Sequence, residues 1–245
     1  MSLQEAASEV DLPQRRPLRP LGAFRGSLSQ RVYASLREAI LSLSLRPGDI
    51  IRKPEVCEAL GVSRSPVSEA LARLAAEHLV NVVPQAGTYV ARLSLAEVRE
   101  GAFLREALEV AAVERVAATV TEDQLVQLRR NLRLQAALVE DHDFAGFYQS
   151  DAAMHELILG FTGFRRLAAL AEASWVHVNR ARQLVLPQNG RVEATLEEHR
   201  AIVAAIEARD PAAAREATRL HLGKLIGILE PLAQNSPDLF DQEPT

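Results

Sequence analysis

The chain has one cysteine among 245 residues, so no intramolecular disulfide holds it together; that residue, Cys57, reads as a small core position on a short helix. Long apolar runs are missing too. Stretches such as Val110-Ala-Ala-Val113 are soon broken by charge, far short of the roughly 20 apolar residues that a membrane-spanning helix requires. The N-terminus has no continuous apolar segment and carries Glu5, Glu9 and Asp11, which argues against a secretion signal and for a cytoplasmic protein with no membrane partner. Nor is there a general excess of positive charge, since the formal net charge is −4. The charges are unevenly placed, however. Residues 27–93 hold eight Lys and Arg against six acids, whereas residues 94–245 hold sixteen against twenty-three. Only the smaller part is suited to meet phosphates, and the acidic balance belongs to the rest.

With 48% hydrophobic and 24% charged residues, the chain is globular and long enough for two domains of about 100–200 residues each. The pattern divides it into a flexible Pro- and Arg-bearing tail at 1–26, a small domain at 27–93, a larger one at 94–233, and a tail at 234–245.

Residues 60–74, LGVSRSPVSEALARL, compress a tight turn, a helix start and an amphipathic helix into fifteen positions. Gly61 accepts the positive φ of a turn, Ser63 or Ser65 can cap the helix, and Pro66 falls in the first turn, where a missing N–H costs nothing. Val67, Leu71 and Leu74 share one face, which leaves Arg64, Ser65 and Ser68 outside near the N-terminal end. In helix-turn-helix proteins that end enters the major groove. A preceding helix follows from Val32, Leu36, Ala39, Ile40 and Leu43, and a short one from Pro54 to Leu60. Downstream, residues 79–83 and 88–91 are β-rich runs joined by Pro84-Gln85-Ala86-Gly87, hence a hairpin. Three helices and a hairpin make a winged helix-turn-helix.

Residues 31–90 resemble the DNA-binding domain of GntR-family transcription regulators. The match runs through Tyr33, Leu36-Arg37, Pro47-Gly48, Leu60-Gly-Val-Ser-Arg64, Pro66-Val67, Glu69-Ala-Leu71, Arg73-Leu74, Glu77 and Gly87. The chain departs from the family at Ser68 and Ala86, where arginine is usual or frequent, at Lys53, where glutamate is usual, and at His78, where glycine is usual. The resemblance implies a double-stranded DNA operator, with Arg64 reading a base, Ser63, Ser65 and Ser68 meeting phosphate or base, and Thr88 with the Gly87 backbone forming the wing contact. Arg52 and Lys53 add nearby positive charge for phosphates.

From Ser94-Leu-Ala-Glu97, a capping box, the pattern is helical, with segments at about 95–117, 122–140, 143–160, 164–185, 191–208 and 211–230. The expected fold class is therefore mainly α: the winged helix-turn-helix, then an antiparallel bundle of six or seven helices. Asp151 and His155 lie four apart on one helix face, and His199 and His221 come from the last two helices, made neighbours by a short turn. Three imidazoles and a carboxylate suit a divalent ion, zinc first, with nickel, cobalt or manganese as alternatives.

This second part resembles the ligand-binding domain of the FadR subfamily through Arg105-Glu-Ala-Leu-Glu109, Asp151-Ala-Ala-Met-His155, the run Glu198–Ile206, and Leu220-His221-Leu222. The resemblance implies a metal-bound small carboxylic acid as effector. Arg105, Arg182 and Asn179 are the candidates for its far end. The whole then reads as a ligand-responsive repressor that binds its operator as a homodimer and is not an enzyme. The alternative is a metal-dependent hydrolase with Glu156 or Glu198 as base, although on a helix both glutamates point about 100° away from their neighbouring ligands.

Overall fold

The computed structural model describes residues 12, 15–167, 170–171, 175–188 and 190–241. The chain is mainly helical and divides into two compact units, one of residues 1–95 with 233–245 and the other of residues 96–232. Among the described residues no helix is long and apolar enough to cross a membrane.

In the first unit α1 (Leu28–Leu41) starts at a reciprocal cap, in which Gln30 N–H donates to Ser27 Oγ and Ser27 N–H donates to Gln30 Oε1. Helix α2 (Lys53–Leu60) ends on Gly61, whose left-handed φ of 64° makes the turn into α3 (Arg64–Ala76). Ser63 is the N-cap residue of α3, although its hydroxyl makes no capping bond. Val32, Leu36 and Ile40 of α1 meet Val67, Leu71 and Leu74 of α3 in one core, while Cys57 is only half-buried.

The wing strands β2 (Val80–Val83) and β3 (Gly87–Val90) are joined by a third strand absent from the sequence reading, β1 (Ile50–Ile51). The order is β1-β3-β2, all antiparallel, so β3 is central, with Thr88 opposite both Ile51 and Val82. Two residues are too few to show a period, which is why β1 escapes pattern reading.

Several positions that carry the family resemblance form one cluster. The Tyr33 hydroxyl donates to both Glu77 oxygens at 2.6 and 2.7 Å, Arg37 and Arg73 each approach Glu77 at 3.5 Å, and the Arg73 guanidinium lies over the Tyr33 ring. Burial first, and then the Glu77 hydrogen bond, push the Tyr33 pKa from 10 up to about 12. The folded state thus keeps a proton that the unfolded chain has already released. Stability from this pair is full below pH 10 and declines as pH rises toward 12. Thermal melts between pH 9 and 12 should show that slope in the wild type and lose it in Tyr33→Phe; an unchanged slope would assign it elsewhere.

Parts of both expected tails have partners in this unit. Arg15 pairs with Asp49 at 2.7 Å, and Ser35 donates to the Arg19 carbonyl at 2.8 Å. At the other end, Leu93 N–H donates to the Leu239 carbonyl and Asp241 N–H to the Leu93 carbonyl, which buries Phe240.

The second unit is an all-helical array comprising α4 (Leu95–Thr119), α5 (Glu122–Glu140), α6 (Phe144–Phe161), α7 (Val176–Val185), α8 (Arg191–Glu207) and α9 (Pro211–Asn235). Helix α5 starts at the expected capping box of Thr121 and Gln124, and Asp210 Oδ1 accepts from Ala213 N–H at the start of α9. The expected single helix at 164–185 is interrupted. Gly163 takes a φ of 76°, Arg165 and Arg166 form a turn, and Trp175 caps α7 in a non-helical conformation. The apolar spacing continues through that break, and a periodicity reading cannot see the backbone turn.

A candidate DNA surface and a candidate metal centre

Arg64 is the first residue of α3, and it is exposed together with Ser63, Ser65 and Ser68. Among the described residues it makes no salt bridge, so its guanidinium is available to an outside acceptor. Arg52 and Lys53 are exposed at the start of α2, where Lys53 Nζ donates to Ser68 Oγ at 3.3 Å and links the two helix starts. The structure brings these six to one helix-turn-helix.

Thr88 has to be corrected. It is only 6% exposed, because side chains alternate along β3 and Thr88 shares the inward face with Val90. Its side chain is therefore turned away from the wing's exposed face. Gly87 is half-buried, and the exposed wing tip consists of Pro84, Gln85 and Ala86, with Gln85 at a φ of 63°.

In the second unit the four expected ligands converge. Asp151 and His155 project from α6, His199 from α8 and His221 from α9; all four are buried, and one donor-capable atom of each lies within 4.8 Å of the others. Each imidazole is oriented by its Nδ1. His155 donates to Glu109 at 2.5 Å, His199 to Gln135 Oε1 at 2.7 Å, and His221 to Glu198 at 2.7 Å.

The His199 tautomer follows from a chain of obligatory roles. The Ser150 carbonyl can only accept, and it takes Asn131 Nδ2–H at 2.9 Å. Asn131 Oδ1 then accepts from Gln135 Nε2, leaving Gln135 Oε1 to accept from His199. Nε2 of His199 thereby carries its lone pair inward. Glu109 and Glu198 impose the same tautomer on His155 and His221 through carboxylates that only accept.

Electrostatics keep the imidazoles neutral. Burial lowers the pKa of all three; for His199 the neighbouring His221 and His155 lower it further, and for His221 it falls to about 4 despite the opposing pull of Glu198. Burial opposes ionisation of Glu109, but Arg105 and His155 outweigh it and hold its carboxyl below the usual range. Glu198 behaves likewise, brought down to about 2 by His221 and Arg191.

The donor set fits a divalent ion on an observation of this structure. His155 Nε2 and His199 Nε2 are buried with no hydrogen-bond partner, and both belong to the converging group. Orphaned buried acceptors of this kind are costly unless something electropositive meets them.

Asp151 and His221 also line a small cleft, together with Arg105, Arg182, Arg191, Val185, Leu186 and Leu222 among others. Arg105 and Arg182 are 5% and 7% exposed, so both are pocket residues. Asn179 is not on the wall; its Oδ1 accepts from Arg182 Nη1 at 3.3 Å. Burial first, and then Arg105, lower the Arg182 pKa to about 10.

The hydrolase alternative finds no base here. Glu156 is exposed, and the Glu198 carboxylate is fully engaged by His221 and by a bidentate contact from Arg191 at 2.8 and 2.5 Å. Sequence reasoning missed Glu109, Gln135 and Glu198 as orienting residues. For Glu109 a signal existed, since Arg105 and Glu109 are an i,i+4 pair, but spacing alone does not distinguish a buried pair from a solvated one.

Comparisons with known proteins agree with this division. A family model described as bacterial regulatory proteins, gntR family, matches residues 28–90, and one described as FCD domain matches residues 100–224, a span that holds all four converging ligands. An uncharacterized HTH-type transcriptional regulator from an unstable DNA locus of Streptomyces ambofaciens is 34% identical over 85% of this chain and 88% of its own length. The HTH-type transcriptional repressor RspR of Escherichia coli K12 is 32% identical over 88% of this chain and 95% of its own. The solved structure of E. coli McbR/YncC has a similar fold, with a TM-score of 0.72 and 23% identity, covering 85% of this chain and 99% of that one.

Proposed function

The chain belongs to the GntR family of bacterial regulatory proteins and carries an FCD domain, and from that footing we propose that it is a cytoplasmic repressor of the FadR subfamily whose DNA binding responds to a small carboxylic acid. It is a transcription regulator and not an enzyme. Two copies present their α3 helices to a two-fold symmetric operator, where Arg64 reads a base and Arg52, Lys53 and the serines meet phosphates. Asp151, His155, His199 and His221 hold a divalent ion, zinc first. Bound there, the ion supplies open coordination positions for a carboxylate. Arg105 and Arg182 bind the acid's remaining polar groups, with Asn179 steadying Arg182.

The observation that carries this reading is the juxtaposition of two unpartnered imidazole Nε2 acceptors and the Asp151 carboxylate with a cleft walled by buried arginines. An effector moves the regulator only so far as it binds its DNA-competent and DNA-incompetent states unequally.

The test begins by selecting bound sequences from random duplexes with zinc-loaded protein. Fluorescence anisotropy then follows operator affinity as short carboxylic acids are titrated. An acid that binds the protein is expected to weaken operator binding; bound acid with unchanged operator affinity would overturn the reading. Arg64→Gln should cost about 1–3 kcal/mol and relax the selected sequence at one position, whereas Lys53→Gln should mainly flatten the salt dependence.

A further inference from the structure

We propose that Arg182 competes with the metal ion for Asp151, and that its displacement makes metal and carboxylate binding mutually reinforcing. This rests on reading the four converging residues as a metal centre, and it concerns what this chain's own arginine does there.

Arg182 Nη2 forms an ion pair with Asp151 Oδ2, and neither atom has any hydrogen-bond partner besides. The other oxygen, Oδ1, lies 3.3 Å from His199 Nε2. One carboxylate therefore faces the imidazole cluster on one side and a guanidinium on the other. Both groups are almost wholly buried, where charges interact far more strongly than in water. A divalent cation drawn to Asp151 meets the positive charge of Arg182 across the same carboxylate, so each weakens the other's hold on its single negative charge.

An arginine that yields Asp151 still has to be paired, because an unpartnered buried charge is strongly disfavoured. Its other contacts, Asn179 Oδ1 and the Tyr148 ring, carry no net negative charge. Among the described residues, Asp151 is the only acidic residue on the cleft wall. The two carboxylates that orient the imidazoles are committed: Glu109 to Arg105 and His155, and Glu198 to Arg191 and His221. The missing anion must come from outside, and the planar fork of guanidinium suits a carboxylate. The ion thus frees the arginine that an acid then satisfies. By reciprocity the acid raises affinity for the ion by the same factor.

The experiment uses the full chain, zinc alone as the metal probe and succinate as the anion probe, with zinc affinity read by competition against a chromophoric chelator. Without succinate, Arg182→Gln is expected to bind zinc about tenfold tighter than wild type, since a competing cation is gone. Succinate should tighten zinc binding of the wild type roughly 5- to 100-fold and leave Arg182→Gln unmoved. Arg182→Lys keeps the charge without the fork. It should bind zinc near the wild-type level and show weaker coupling, which also provides a readout if the glutamine variant folds poorly.

A merely structural arginine would weaken zinc binding when replaced, the opposite sign. Equal or weaker zinc affinity in Arg182→Gln, or equal succinate coupling in both proteins, overturns the proposal while the metal centre stands. Failure of the wild type to bind zinc at all overturns both.

Discussion

Glu109→Ala is expected to destabilise the second unit by about 3–5 kcal/mol, the cost typical of stranding one partner of a buried ion pair. Arg105 and Glu109 are 5% and 2% exposed and joined at 2.6 Å, so removing the carboxylate leaves a mostly buried guanidinium without its partner. It also takes the acceptor from His155 Nδ1, which frees that ring to adopt the other tautomer and turn its proton inward. Two measurements separate these effects. Urea denaturation reads the first. Zinc affinity of the milder Glu109→Gln variant reads the second, with a loss of roughly 10- to 100-fold expected. Wild-type stability in the alanine variant would mean that Arg105 finds a partner elsewhere and that the relay through Glu109 does not hold the site.

Zinc itself should raise the melting temperature. A ligand that binds only the folded state stabilises by about 4 kcal/mol at a thousand times its Kd, a shift of roughly 10 °C for a domain of this size. His199→Ala should abolish that response at the same zinc concentration, because it removes a fully enclosed imidazole whose ring centre lies 5.4 Å from that of His155 and 4.7 Å from that of His221. The informative quantity is the difference between melts with and without zinc. The variant's own stability also changes, since Gln135 Oε1 loses its donor. A His199→Ala protein that still gains the full zinc shift would place the ion elsewhere in the chain.

The two halves of the molecule were legible to different depths. Local signals identified the helix-turn-helix, since Gly61, Pro66 and the Val67, Leu71 and Leu74 stripe each act within one turn or one helix face. The ligands Asp151 and His155 were legible for the same reason, being one turn apart on α6. Thr88 was not, because the phase of a strand's alternation depends on which face the sheet buries. Here the buried face is the one that carries Thr88 and Val90, in a strand paired with a two-residue strand 37 positions upstream of Thr88. The orienting shell was hidden more completely. Glu109, Gln135 and Glu198 lie on α4, α5 and α8, and nothing in their own neighbourhoods says that they point toward histidines 46, 64 and 23 positions away.

From the amino-acid order alone follow the two-part architecture, the second helix of the helix-turn-helix with Arg64 at its start, and the four residues able to gather about an ion, because caps, turns and helical periods are short-range physics. Only the tertiary structure decides that Thr88 faces inward, that Arg105 and Arg182 are walled into a cleft, and which imidazole nitrogen is presented. Those outcomes depend on burial and on hydrogen bonds between distant helices, which exist only once the chain has packed.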